Sequence, residues 1–461
     1  MTHSARPAVS TAIERLSETR SDGREAIVIK EDEVKRNHVL AAVALGLGAA
    51  LALSACSTSA PSQESGKANL TFMTFETPAL TAKFWDQSIK NAQKDVPNVT
   101  VKKIVSPDAD RNAYAKQLQA SGQFPDVLSS IDPKDFTSAG LLKPFDEKWL
   151  KDNFAQPDAN SIKGKTYIPP TNSQVLPLVF YNKAIFEKAG IKVPTNYAEF
   201  TDAVTKLKAA GVTPIELAGG EAWAASMPLV ALASADVLGS DPKWIQERYD
   251  GKVKFTDDNF VAAIQKQVNL IKQGAYDPAA LSTDFATANK NFLAGKAGMY
   301  IMGSWFTGSS YMTADQAKQY GAFPFPTDNG KVVIPFNMGG TTSVSAKSAH
   351  ADDAQKFAEA WSLAPDNLKV LIETDGAYPN MKNLKLSDFG AKVSGLYTDT
   401  YKFVTDNNEK VSAFGWVNND DALAPGINDE FYALSQALFS NSDVKGQLAK
   451  LDTDWDKATG K

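Results

Sequence analysis

Thiols and imidazoles are almost missing from this chain. Cys56 is the only cysteine among 461 residues, and the only histidines are His3, His38 and His350. That inventory excludes Cys/His zinc clusters, Cys-His dyads and C-x-x-C redox pairs. A surplus of positive charge is missing as well: 48 Lys and Arg stand against 53 Asp and Glu, a formal net charge of −5. Such a mildly acidic surface gives no reason to expect nucleic acid. Neither an internal repeat nor a Gly-rich nucleotide-binding signature occurs, and nothing in the sequence asks for a cofactor or a metal. Carboxylate-only chemistry, as in glycosidases, stays open.

One long uncharged run is present. Val39 to Leu53 reads VLAAVALGLGAALAL, preceded by Lys35, Arg36 and His38. As a helix it would span about 22 Å at roughly 1.5 Å per residue, short of the roughly 30 Å hydrocarbon core, so it suits a signal h-region better than a permanent anchor. Leu53-Ser54-Ala55-Cys56 follows and resembles the lipobox of bacterial lipoproteins, whose cysteine is lipidated and becomes the first residue after cleavage. On that resemblance residues 1–55 are a cleaved leader, and 56–67, rich in Ser, Ala, Gly and Pro, is a flexible tether. The solitary thiol is then an anchor point, no disulfide forms, and the protein resides on the outer face of the cell membrane. Residues 1–38 carry seven Lys or Arg and seven Asp or Glu, an unusually long and mixed n-region. Translation from Val34 would remove the misfit. His350 is the one histidine after Cys56; it sits in "SAKSAHADDAQKF" at the start of a polar-faced helical pattern, a poor setting for a triad base.

After the tether, short apolar runs alternate with helical patterns over a length that suits two domains. "NLTFMTF" (69–75) and "NVTVKKIV" (98–105) read as strands, with Leu80, Phe84, Trp85 and Ile89 at helical spacing between them. This strand, helix, strand order predicts a βαβ unit in a mainly parallel sheet. A helix near 110–120 carries Tyr114 and Leu118 and ends at Gly122, before a strand in "FPDVLSSI". "VLPLVFYN" (175–182) reads as a strand and "KAIFEKAGI" as a helix. Asn196 with Glu199 resembles a capping box, opening a helix whose apolar face is Tyr197, Phe200, Val204 and Leu207. "GMYIMGSW" (298–305) and "KVVIPF" (331–336) are further strands. The fold class is α/β in two lobes.

The order of these landmarks resembles the family 1 extracellular solute-binding proteins, the maltose-binding-protein-like carbohydrate receptors of ABC importers. The matching stretches are "ASGQFPDVLSSID" (120–132), "KGKTYIPPTNSQVLPLVFYNKAIFEKAGIKVPTNYAEF" (163–200), "FLAGKAGMYIMGSW" (292–305), "GGTTSVSAKSAHADDAQKFAEAW" (339–361) and "DGAYPN" (375–380). The resemblance implies a periplasmic-binding-protein-like fold. Lobe 1 would comprise 68–174 and 338–380, lobe 2 175–337 and 381–461, with a ligand cleft between them that closes by hinge motion. It also implies a carbohydrate ligand, a membrane permease that reads the closed form, and a monomer that catalyses nothing.

A sugar offers hydroxyls and a weakly apolar C–H face, so its site needs carboxylates, amides and flat rings. Trp305, in "GSW", matches the position where related receptors stack a sugar ring. Trp223 lies in the Gly-rich loop "GGEAWAASMPL" before a helix. Glu76 follows the first strand, at the edge where doubly wound sheets place ligands; Asp132 ends "PDVLSSID", where the family often places a sugar-binding group. Asp126 is read as tying down its loop. Asn172 and Gln174 sit at one predicted hinge crossing, Asn337, Gly339 and Gly340 at the next, where the glycines either admit ligand to the backbone or permit a bend. Trp416 and Asn418, in "AFGWVNND", complete the candidates. Two other readings stay open on sequence: a secreted carbohydrate-active enzyme with Glu76 and Asp132 as acid and base, and a cell-envelope scaffold lipoprotein that binds no ligand.

Overall fold

The computed structural model describes residues 67–107 and 110–461. The apolar run, Cys56 and the tether through residue 66 lie outside the described residues, so the leader and lipidation readings remain readings of sequence. In chain order the first strands are β1 (Ala68–Thr74), β2 (Val99–Val105), β3 (Val127–Leu128), β4 (Leu142–Lys143), β5 (Ser161–Ile162), β6 (Lys165–Thr166), β7 (Asn172–Val175) and β8 (Leu178–Asn182). Then come β9 (Thr213–Glu216), β10 (Ala297–Met302), β11 (Tyr320–Pro324), β12 (Val333–Gly339), β13 (Ser343–Ser345), β14 (Tyr378–Pro379) and β15 (Glu409–Ser412).

These strands form three main sheets, in the orders β2-β1-β3-β13-β4, β11-β8-β10-β9 and β14-β7-β12-β15. The predicted βαβ unit is present: β1 pairs parallel with β2 across the helix Ala82–Gln93. Thr81 caps that helix by accepting from Phe84 N at 3.3 Å, and Phe84, Trp85 and Ile89 bury its inner face. Trp85 stacks on Trp361 from helix Ala351–Leu363 with centroids 5.5 Å apart, and Phe72 of β1 meets both edge-on. Burying a side chain such as Phe72 contributes about 1.5–3 kcal/mol. The sheet is less uniform than expected, because β13 runs antiparallel to both β3 and β4.

The second sheet has its own core, in which Phe180, Phe200, Leu207, Met299 and Phe306 are fully buried. Here the structure departs from one reading. "VLPLVFYN" is two strands, since Pro177 has no N–H to continue a ladder; β7 joins the third sheet and β8 the second. The capping box at Asn196 is half formed: its side chain accepts from Glu199 N at 2.9 Å, but the Glu199 carboxylate reaches back to Thr195 N and Oγ1. "FPDVLSSI" yields only the two-residue β3.

The third sheet gathers the chain's passages between the other two. β7 leads into β8 of the second sheet, and β12 into β13 of the first, while β7 and β12 pair antiparallel with Asn172 opposite Gly339 and Gln174 opposite Asn337. Behind it a further helical core holds Trp244, Phe260, Phe414 and Trp455. Within it buried Arg248 bridges Asp452 at 3.1 Å and Asp456 at 2.8 Å.

Candidate functional site

Three tryptophans from distant parts of the chain meet. Trp305 lies in the 3-10 turn Ser304–Thr307 that follows β10, Trp223 in the helical turn Ala222–Ala225, and Trp416 in the loop after β15. Their ring centroids are 6.3 Å (Trp223 to Trp305), 6.2 Å (Trp223 to Trp416) and 5.9 Å (Trp305 to Trp416) apart. Tyr432 extends the wall at 5.9 Å from Trp416, and Phe285 at 4.9 Å from Trp223. The local chemistry explains the orientations. A Cβ on Gly303 would fall 2.1 Å from the Trp305 ring, so only glycine lets that ring fold back over its own turn. Trp223 Nε1 donates to Glu221 at 2.8 Å, and the other Glu221 oxygen accepts from Phe285 N. Trp305 is 7% exposed, while Trp223 and Trp416 are half-buried.

Polar groups stand beside this wall. Gly376 packs against the Trp305 backbone, where an added Cβ would lie 3.2 Å from Trp305 Cα, and so brings neighbouring Asp375 to the turn. Burial pushes the Asp375 carboxyl up to about 7; its hydrogen bond with Gln174 acts in the other direction. Asn337, opposite Gln174 in the ladder, is buried with no partner for its Oδ1 among the described residues. An orphaned buried acceptor costs about 1–3 kcal/mol, which a donor arriving in the site would recover.

A second group of polar contacts lies in the segments after β1 and β3 and reaches the helix Ile427–Ala437. Asp132 accepts from Lys134 N at 3.0 Å and from Asn428 Nδ2 at 3.1 Å, the latter on the helix Ile427–Ala437. Burial raises its carboxyl, assisted by Asp135 and opposed by Lys134 and Lys116. Lys134 Nζ donates to the carbonyls of Asp420 and Ala422 at 2.8 and 2.9 Å, and burial pushes its ammonium down to about 8. Arg111 opens the helix Arg111–Ala120, with its guanidinium 4.2 Å over the Phe75 ring and its field reaching Tyr432.

Comparison with known proteins identifies the family of the chain. Residues 77–367, more than half the chain, match the family described as bacterial extracellular solute-binding protein. The chain belongs to that family. It is 27% identical over 354 residues to the multiple sugar-binding protein of Streptococcus mutans, covering 74% of this chain and 81% of that one. It is 28% identical over 290 residues to an ABC transporter extracellular-binding protein of Pyrococcus horikoshii, 59% of this chain and 63% of that one. In fold it is similar to a chitin oligosaccharide binding protein with a TM-score of 0.75 at 24% identity, covering 86% of this chain and 100% of that one.

In this extracellular solute-binding protein the candidates read from sequence fall into groups. Trp223, Trp305 and Trp416 come together, with Gln174 and Asn337 nearby through Asp375 and the β7–β12 ladder. Asp132 accepts a hydrogen bond from Asn428 Nδ2 on the helix Ile427–Ala437. Glu76 is exposed, just past buried Phe75, with no hydrogen bond to its carboxylate among the described residues. Asn172 is buried and donates to Thr171 Oγ1 at 3.0 Å. A Cβ on Gly339 would lie 2.5 Å from Asn172 Oδ1, and one on Gly340 2.4 Å from Pro169 O. Those glycines therefore let chain segments approach each other closely. Asn418 donates to Met338 O at 3.2 Å, and Asp126 ties Thr71 and Ser348 together. Sequence reasoning passed over Asp375, although it begins "DGAYPN", and also Arg111, Lys134, Asn428 and Tyr432. The last two lie in a helix with no local signal beyond ordinary amphipathic spacing. Among the described residues no group of His, Cys, Asp and Glu is placed to hold a metal ion.

Proposed function

We propose that this protein is the substrate-binding component of an ABC importer, binding a sugar or oligosaccharide between two lobes and delivering it to the permease. The observation that carries this is the convergence of Trp223, Trp305 and Trp416 beside Asp375, Gln174 and Asn337. Flat rings take the C–H faces of pyranoses, and carboxylates and amides take their hydroxyls. The names of its relatives, a multiple sugar-binding protein and a chitin oligosaccharide binding protein, support the same ligand class. In this reading lobe 1 is 68–174 with 338–380 and lobe 2 is 175–337 with 381–461. The β7–β12 sheet is the hinge, and Asp132, Gln174, Trp223, Trp305, Asn337, Asp375 and Trp416 touch ligand. Asn172, Gly339 and Gly340 shape the crossing, and Glu76 stands at the mouth.

The protein acts as a monomeric receptor and performs no reaction. An acid-base pair of Glu76 and Asp132 is disfavoured, because Asp132 is held by Lys134 N and Asn428 while Glu76 lies exposed. Cys56 carries the lipid that anchors the receptor on the outer face of the cell membrane, and a start at Val34 would account for the long, mixed n-region. Cys56→Ser should release the protein from the membrane fraction; a tryptic peptide covering "EAIVIK" would refute the Val34 start. For the ligand, sugar should quench tryptophan fluorescence saturably in the wild type. Trp305→Ala should abolish or greatly weaken that quenching with the fold intact, and an unchanged titration would remove Trp305 from the site.

A further inference from the structure

Arg111 occupies a position that local rules disfavour in several ways. As the first residue of helix Arg111–Ala120, it places a cation at the end where the helix dipole favours anions, next to the N-cap carboxylate of Asp110. The helix start is fixed by Asp110, which accepts from Ala113 N at 2.8 Å. The guanidinium is itself held on two sides: Nε donates to Ser130 O at 3.1 Å, and the planar group lies 4.2 Å over Phe75. Ser130 has φ +48°, a left-handed conformation that costs a non-glycine residue about 1–3 kcal/mol and that here aims its carbonyl at Arg111. No carboxylate pairs with the terminal nitrogens among the described residues, and they are not sealed from solvent. Burial pushes the guanidinium pKa down, only partly opposed by Tyr432 and Asp110. Tyr432 is also where the tryptophan wall ends, 5.9 Å from Trp416.

We propose that Arg111 is a specificity-determining ligand contact, its terminal nitrogens gripping two neighbouring oxygens of the bound sugar at the end of the aromatic wall. The inference rests on the sugar-binding reading and adds a requirement to it: the ligand presents a paired acceptor there, either vicinal hydroxyls or a uronic acid carboxylate. A guanidinium fork matches both geometries with two parallel N–H···O bonds, whereas an ammonium matches neither. Anchoring through Nε leaves the outer edge free and rigid, so little side-chain entropy is lost on binding.

Calorimetric titration of the wild type, Arg111→Lys and Arg111→Met with raffinose, chitotriose, xylotriose and trigalacturonate tests this. The expected result is that the wild-type ligand binds Arg111→Met at least tenfold more weakly and Arg111→Lys at least fivefold more weakly, with both unliganded proteins melting cooperatively. A neutral trisaccharide as that ligand identifies the vicinal-hydroxyl source; trigalacturonate alone identifies the carboxylate. Arg111→Lys keeps the charge and the stem, so it reports on the fork even where Arg111→Met fails to fold. Wild-type affinity in the lysine variant, for a ligand the wild type binds, overturns the assignment while leaving the sugar-binding reading intact. No binding by the wild type to any of the four removes both.

Discussion

Replacing Asp375 by Asn should make the unliganded receptor more stable and the same receptor a weaker binder. Burial raises the carboxyl of Asp375 to about 7, against about 3.9 in an unfolded chain. The folded state thus holds a proton that the unfolded state has lost across that window. The stability contributed by the protonated acid is complete below about pH 4 and is lost as pH rises through about 7. Three units at about 1.36 kcal/mol each give an upper bound near 4 kcal/mol; because Asp375 is only half-buried, about 1–2 kcal/mol is the realistic figure. Asparagine keeps a partner for Gln174 and carries no charge to desolvate. Urea denaturation should find the two proteins nearly equal at pH 4 and Asp375→Asn more stable by about 1–2 kcal/mol at pH 8. Asp132, Glu216 and Asp429 also have carboxyls raised by burial, but they cancel in the comparison. Affinity should move the other way, since a sugar hydroxyl donating to an ionised carboxylate contributes about 1.5–3 kcal/mol, a loss of roughly 10- to 150-fold in Kd. A stability difference that does not grow with pH, or a variant less stable at pH 8, would refute the reasoning.

Gly303→Ala should cost at least tenfold in sugar affinity without touching ligand, because its methyl would fall 2.1 Å from the Trp305 ring and displace it; equilibrium titration checks this. Arg248→Met leaves Asp452 and Asp456 short of a buried cation and should cost about 3–5 kcal/mol in denaturant melts. Its Kd, measured well below the melting transition, should match the wild type, which separates loss of fold from loss of site.

The sequence revealed the fold where periodicity was strong. β1, the helix Ala82–Gln93 and β2 were legible because Phe84, Trp85 and Ile89 repeat at helical spacing between two alternating apolar runs. "VLPLVFYN" misled because hydropathy is continuous across Pro177, while the ladder partners on its two sides belong to different sheets. Trp223 was legible by its Gly-rich loop and Trp305 by the turn that ends a strand and by its match to the family pattern; that Trp416 joins them shows only in the fold. Asp375 and Arg111 were not, since a carboxylate or guanidinium is conspicuous only once burial and the absence of a counter-charge are known. Asn428 approaches Asp132 from 296 residues away in the chain, and Tyr432 approaches Arg111 from still farther, relations no local window contains.

The central claim is that the wall of Trp223, Trp305 and Trp416 with Asp375 is a sugar site. Calorimetric titration of the wild-type protein with a panel of neutral and acidic oligosaccharides tests it most directly. Saturable binding of at least one sugar at one per chain is expected, lost in Trp305→Ala and weakened in Asp375→Asn. Heats no greater than dilution for every sugar, or binding unchanged in both variants, would contradict it.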